Sequence, residues 1–519
     1  MIELGCQRVQ IPDQNGELGP TSLSDWDYLR GSDPAMDWLY SRLEVAEKGD
    51  VSDAGMIYFA ITGKEQPTRS DLESYLTGPP AEPSSGDSGA GAATEPEPGT
   101  AAPSDEPQSN EPQSEAPRGT EPSSPTDGGA ATPISQLAPV EVSPNGRFFQ
   151  HPDGSPFFWL ADTGWEMFHR ASREDAQLYL DTRAQQGFTV IQAVALAEKG
   201  GLDVPTPAGH TPLVNNDPAT PAVQEGPDND YWDDVDFMVD YANSKGLRVA
   251  IWAAWGSMVH DGPEVLDASN ARAYGEFLGT RYGDKGVFFV LGGDRPSNTG
   301  GNTPEVWGAL AEGIRASDTG NHLISFHPWG QESSTEMFPN DSPVIDFNLI
   351  QGSHKKVSFE ELTTLLVADY GKTPVKPVID SEVFYEEHPF NWDSNEGWKT
   401  AVHARGAAYY QVFSGAAGHT YGNGAVHQFW EPGMDAPYEV RDPWYDAIHH
   451  EGATQMHLLK ELVLARSYFD RVPDQSLITS GTGRATRSES GTWAMIYLPE
   501  GGPVGVDTSA LAAPAPAVT

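Results

Sequence analysis

Between residues 157 and 422 the chain shows eight short, nearly continuous apolar runs, with helical stretches between most of them. The runs cover 157–162, 188–196, 247–256, 286–294, 322–328, 344–354, 374–382 and 417–422. Unbroken apolar strands, not alternating ones, are what a parallel sheet buried on both faces requires. The intervening segments read as helices. SREDAQLYLDTRAQQG opens on a Ser172 cap, DYWDDVDFMVDYANSKG is amphipathic, and ARAYGEFLGTRYGDK, EVWGALAEGIRAS, SFEELTTLLVADYG and GWKTAVHARGAAYYQVF follow. Eight strands over roughly 300 residues fit a (β/α)8 TIM barrel better than an open sheet. No glycine-rich phosphate loop follows the first run, which counts against a nucleotide-binding open sheet.

The rest of the 519 residues divides around this core. Residues 1–77 read as a small helical N-terminal segment, with Met36, Leu39, Tyr40 and Leu43 at helical spacing. Residues 78–135 are dominated by Pro, Ser, Glu, Gly and Ala. Such a stretch cannot bury enough apolar surface to offset its ordering entropy, so an acidic disordered linker is expected. The barrel is assigned to 136–472 and a truncated β domain to 473–519.

Charge narrows the function. With 75 acidic and 31 basic residues, the net charge is −44, and residues beyond 134 hold 51 of the acids and 24 of the bases. A chain of this sign has no electrostatic footprint for nucleic-acid phosphates or anionic lipid, so neither is an expected partner. No apolar run reaches the roughly 20 residues of a membrane span. The single Cys6 excludes an internal disulfide and a cysteine-ligated metal. Acidity with few lysines also suits a protein hydrated in strong salt, and a halophilic source stands beside an ordinary acidic secreted protein as an expectation.

In a barrel of this kind the chemistry sits at the C-terminal strand ends. There the sequence places Asp162 and Trp165 after strand one, Trp255 after strand three and Asp294 after strand four. His327 ends strand five; Gln351 and His354 follow from strand six. Glu382 and Tyr385 follow from strand seven, and His419 and Tyr421 lie in strand eight. Acids, amides, imidazoles and aromatic rings together suit a sugar site. Glycoside hydrolysis needs two carboxyl groups flanking the scissile bond. Asp294 and Glu382 lie on strands four and seven, which face each other across a barrel mouth. An acid on strand four with a nucleophile on strand seven resembles the arrangement of the large retaining glycosidase clan built on this barrel, and that resemblance implies Asp294 as general acid/base and Glu382 as nucleophile. The remaining nine are expected to bind substrate.

The blocks LADTGWEMFHR, GLRVAIWAAWG, RYGDKGVFFVLGGD, FHPWGQESS, FNLIQGSH, KPVIDSEVFYE and AGHTYGNGAVHQFW, in this order, resemble the apiosidase-like catalytic domain of glycoside hydrolase family 140 and its relatives. The resemblance spans about residues 140–470. It implies the same carboxylate pair, and an exo-acting enzyme that releases apiose from a pectic polysaccharide. The tail, RATRSESGTWAMIYLPEGGPVGVDTSAL, resembles the start of the small β-sandwich that follows this domain in relatives.

The expected protein is thus a monomeric glycosidase acting on oligo- or polysaccharide, without cofactor or metal. An extracellular location is expected, although MIELGCQRVQ carries no signal-peptide pattern. Other readings are an endo-glycanase, a non-catalytic carbohydrate-binding barrel, and a metal-dependent hydrolase using Asp162, His327 and His354.

Overall fold

A computed structural model describes residues 137–512. The expected helical segment at 1–77, the linker at 78–135 and the last seven residues lie outside the described residues.

Among the described residues, eight parallel strands stand where the apolar runs predict them. In order they are Trp159–Thr163, Val190–Val194, Arg248–Trp252, Val287–Gly292, Ile324–His327, Asn348–Gln351, Val378–Glu382 and Gly418–Tyr421. Every residue in them is buried, which is why the runs are apolar throughout. Strands eight, one, two, three, four and five form one parallel arc in that order; strands six and seven form a separate parallel pair. The pair meets the arc through isolated bonds. Asp346 N donates to Ile324 O (2.8 Å) on one side, and Ala417 N donates to Val378 O (2.9 Å) on the other. The result is a curled parallel sheet of the TIM-barrel type, wrapped by helices.

The helices begin where their caps dictate. Ser172 and Asp175 form a reciprocal capping box at Arg173–Gln185. Asp230 accepts from the backbone of Trp232 and Asp233 to open Tyr231–Ser244. Pro304 occupies the first turn of Pro304–Ser317, where its missing N–H costs nothing. Further helices are Ala271–Tyr282, Phe359–Leu362, Thr364–Tyr370, Ala401–Phe413 and Glu451–Leu464. No helix among the described residues is long and apolar enough to cross a membrane.

Before the barrel, strands Glu141–Val142, Phe149–Gln150 and Pro156–Phe157 form a small antiparallel sheet. Its Phe149 ring packs on Trp159, Phe288 and Phe347, close to the starts of strands one, four and six. This end of the barrel is therefore plugged, and the opposite end is left for chemistry.

The tail forms an antiparallel sheet of Arg471–Pro473, Arg484–Ser488 and Ala494–Tyr497, and a pair of Ile478–Ser480 with Gly505–Val506. It docks on the barrel: Tyr497 stacks on Tyr409 of helix Ala401–Phe413 (4.5 Å between centroids), and Arg471 Nη2 donates to Ala416 O (2.7 Å).

Candidate active site

The C-terminal strand ends surround a cavity of about 330 Å³. Trp165, Trp255, Asp294, Gln351, His354, Glu382 and Tyr385, all expected from sequence, line it together.

Asp294 is delivered by an unusual turn. Gly292, Gly293 and Asp294 have φ of +77°, +155° and +36° in succession. Only glycine fits the first two places. A Cβ on Gly292 would lie 2.5 Å from the Phe326 ring, and one on Gly293 would lie 2.7 Å from the Trp255 ring. Asp294 itself stands in the left-handed region, which costs energy for a non-glycine residue and commonly marks a functional position. Arg295 holds it there: Nη1 donates to Asp294 O (2.8 Å), Nη2 to Glu198 Oε1 (3.0 Å), and Nε to His260 O (3.2 Å). Burial, then the nearby Glu382 charge, pushes the Asp294 carboxyl up to about 6, against the opposing effects of His327 and Gln351.

Glu382 is delivered by a bulge. Strict alternation would turn Asp380 and Glu382 to the same face. Asp380 points outward, accepting from Gln411 Nε2 (2.5 Å) on helix Ala401–Phe413. The register slips between Asp380 and Glu382, and this re-aims Glu382 into the cavity. There His354 Nε2 lies 2.9 Å from its Oε1, and His327 Nε2 lies 3.4 Å from its Oε2. Burial would raise the Glu382 carboxyl, but the two imidazoles more than offset it and hold the group well below the usual carboxylate range.

His327 lies just beneath the cavity lining. Its ring packs against Trp165, Trp252 and Trp255, with centroids 5.8 to 5.9 Å away. Ser381 Oγ donates its one proton to Ile350 O (3.0 Å), so it accepts from His327 Nδ1–H (2.7 Å). Tyr385 Oη accepts from Trp165 Nε1 (3.1 Å) and is not bonded to Glu382.

Three expected binding residues are placed elsewhere. Asp162 is fully buried and points away from the cavity, accepting from Arg183 Nε (2.7 Å) and Tyr179 Oη (2.5 Å). Tyr421 pairs with Asp162 in register and shares its outward parity; its hydroxyl donates to Glu386. His419, two residues earlier, meets Gln411 Oε1 (3.2 Å), and burial pushes its imidazole down to about 3. The physical reason is parity. On strands one and eight the residues facing inward are Ala161, Thr163 and Thr420, and the polar residues taken as site candidates face the helices. Asp162 is thereby committed to Arg183, and His327 and His354 both to Glu382. This leaves the proposed metal ligands on different partners. Among the described residues no group of three or more such side chains is arranged to hold a metal ion.

The cavity also collects residues the sequence reading did not name as site residues: Glu166, Glu198, Lys199, Trp329, Gln331, Lys355, His388, Trp392, His427 and Tyr438. Glu198 and Lys199 stand at the start of the long loop 197–229 that follows strand two. Trp329 and Trp392 are 39% and 47% exposed at its rim, and Trp392 has φ +60°. An exposed tryptophan two to ten residues beyond a strand end was the available signal.

Comparison with known proteins places the chain. Residues 143–470 match the family described as "Apiosidase-like, catalytic domain". A crystal structure of a glycoside hydrolase family 5 protein from Bacteroides vulgatus is 33% identical, covering 73% of this chain and 84% of its own, with a TM-score of 0.66. A second solved structure, described as a glycoside hydrolase, is 34% identical over 68% of this chain and 82% of its own, with a TM-score of 0.62. No functionally curated protein matched. The match spans well over half of the chain, and with the barrel and its carboxyl-bearing cavity it makes this protein a glycosidase of the apiosidase-like glycoside hydrolase family.

Proposed function

We propose that the protein is a retaining, exo-acting glycosidase that removes a terminal sugar, of the apiose type, from pectic side chains outside the cell. Asp294 is the general acid/base and Glu382 the nucleophile. The observation that carries this reading is the opposite proton affinity of two carboxyl groups in one cavity. Asp294 keeps a proton into the weakly acidic range, while Glu382 stays ionised. That division is what double displacement needs. Glu382 attacks the anomeric carbon as Asp294 protonates the departing oxygen; Asp294 then deprotonates the water that releases the sugar.

The remaining lining fits a sugar. Gln351 Oε1, His354 Nδ1 and Trp255 Nε1 are buried without a protein hydrogen-bond partner, which suits groups waiting for hydroxyls. Trp329 and Trp392 offer ring faces at the rim for the sugars that leave. Every residue invoked comes from one chain, so a monomer suffices. The anionic substrate and the acidic enzyme repel at low salt, which favours a neutral terminal sugar in the cavity and activity that rises with salt.

The test is hydrolysis of rhamnogalacturonan II side chains, with the anomeric configuration of the first-formed sugar read by proton NMR. Retention with release of single sugars is expected. Inversion, or a ladder of internal cleavage products, removes the retaining or the exo assignment respectively.

A further inference from the structure

Lys399 is fully buried, yet no carboxylate forms an ion pair with it among the described residues. Its Nζ donates to Pro389 O (2.9 Å), lies 3.2 Å from His388 Nδ1, and stands over the rings of Phe390 (4.8 Å) and Phe384 (5.7 Å). An unpaired buried ammonium costs stability. Nor does the fold need its hydrogen bonds. Pro389 O also receives His388 Nδ1 (2.6 Å), and His388 O, 3.4 Å from Nζ, already receives the Lys399 backbone N–H (3.0 Å). Removing the ammonium would strand neither carbonyl.

The group leads to the site. The His388 ring stacks on His354 with centroids 4.4 Å apart and planes within 13°, and His354 Nε2 meets Glu382 Oε1 at 2.9 Å. We propose that Lys399 is a positioning residue for the nucleophile: its buried ammonium denies the His388–His354 stack a positive charge, so that His354 stays neutral, gives Glu382 a single hydrogen bond from Nε2 and keeps Nδ1 as an acceptor. This rests on the reading of Glu382 as nucleophile.

The electrostatics agree. Burial is the larger cause lowering the proton affinity of His354, His388 and His403, and Lys399 lowers all three further. Glu382 opposes this at His354; at His388 the neighbouring His354, ahead of Lys399, and His427 reinforce it; and Tyr385 and Tyr438 face the stack as neutral phenols. A protonated His354 would lose its acceptor at Nδ1 and would bind the Glu382 charge too tightly for attack. Burial lowers Lys399 itself to about 7, so its influence is exerted below neutrality.

The experiment compares the full chain with Lys399→Met and Lys399→Arg. Imidazole titrations by proton–carbon NMR, melting temperature and the pH profile of kcat/KM are the readouts. In Lys399→Met the stacked imidazoles should take up a proton about one pH unit higher, and the acid limb of kcat/KM should move up with them. The deficit should shrink as pH rises through about 7. The melting temperature should not fall, because an unpaired buried charge has gone. Lys399→Arg should restore the wild-type limb. Unchanged imidazole titration in Lys399→Met overturns the proposal. So does a lowered melting temperature with activity scaled equally at every pH, which would make Lys399 a packing residue. An inactive wild type would instead sink the catalytic reading, and the titration would still decide the role of Lys399.

Discussion

The ends of strands four and seven carry the same functional group to one cavity by opposite means. Asp294 leaves its strand through two glycines into a left-handed turn, close to Glu382 and without a firmly bound cation. Glu382 remains in its strand, is rotated inward by a bulge, and is met by two imidazoles. One carboxyl is pushed up to about 6 and the other is held down. Residue type therefore does not set the role. The partner set does, and backbone irregularity decides which partners are reached.

The contrast is broken most directly by neutralising each carboxyl. Glu382→Gln should lower kcat by at least about 10³-fold on every glycoside. Asp294→Asn should lower it by about 10²–10⁴-fold on a natural sugar leaving group, and far less on an aryl glycoside whose phenol departs without protonation. Equal losses on both substrates would erase the distinction between acid and nucleophile.

A third strand-end carboxylate sharpens the comparison. Asp162→Asn should destabilise the fold by about 3–5 kcal/mol, since it leaves Arg183 buried and uncompensated. Chemical denaturation measures this, and kcat per folded molecule should hold.

Gly292→Ala tests the turn. Its Cβ would press on Phe326 at a φ that alanine resists, and a cost of about 1–3 kcal/mol is expected, with weaker acid catalysis. Full stability and full activity would show that the turn is not needed to aim Asp294.

The smallest effect is on pH. The proposed mechanism requires Asp294 protonated and Glu382 ionised, so kcat/KM should fall as pH rises through about 6, and Asp294→Asn should lack that limb. The same raised value makes folding favour the protonated carboxyl. Its stabilising contribution is present at low pH and lost as pH climbs to about 6, so Asp294→Asn should melt higher than wild type above that point.

The sequence carried the barrel because eight buried strands must be apolar along their whole length, and that signal survives without knowledge of contacts. It pointed to Asp294 and Glu382, which the structure brings to one cavity, because both close such runs. It did not carry which way a strand-end residue faces. Asp162, His419 and Tyr421 looked equivalent to His327, and only the register between strands one and eight shows that they turn outward together. Glu382 would have failed the same parity argument, because its inward aim depends on a slip invisible in VIDSE. Lining residues such as Glu198, Lys199 and His388 were illegible for a further reason: loops follow no period, and their placement is decided by tertiary packing.

The interruption of the sheet on either side of strands six and seven has a mechanical consequence. Asp294, the proposed acid, is mounted on a six-strand arc with continuous ladders, and Glu382, the proposed nucleophile, on a two-strand flap joined to it by isolated bonds. Amide protons should exchange with solvent sooner along the flap's edges than within the arc. The two carboxyls thus sit on differently braced parts of one sheet. On the proposed mechanism, a sugar would meet a wall free to yield on the Glu382 side and a firmer one, keeping the gauge, on the Asp294 side.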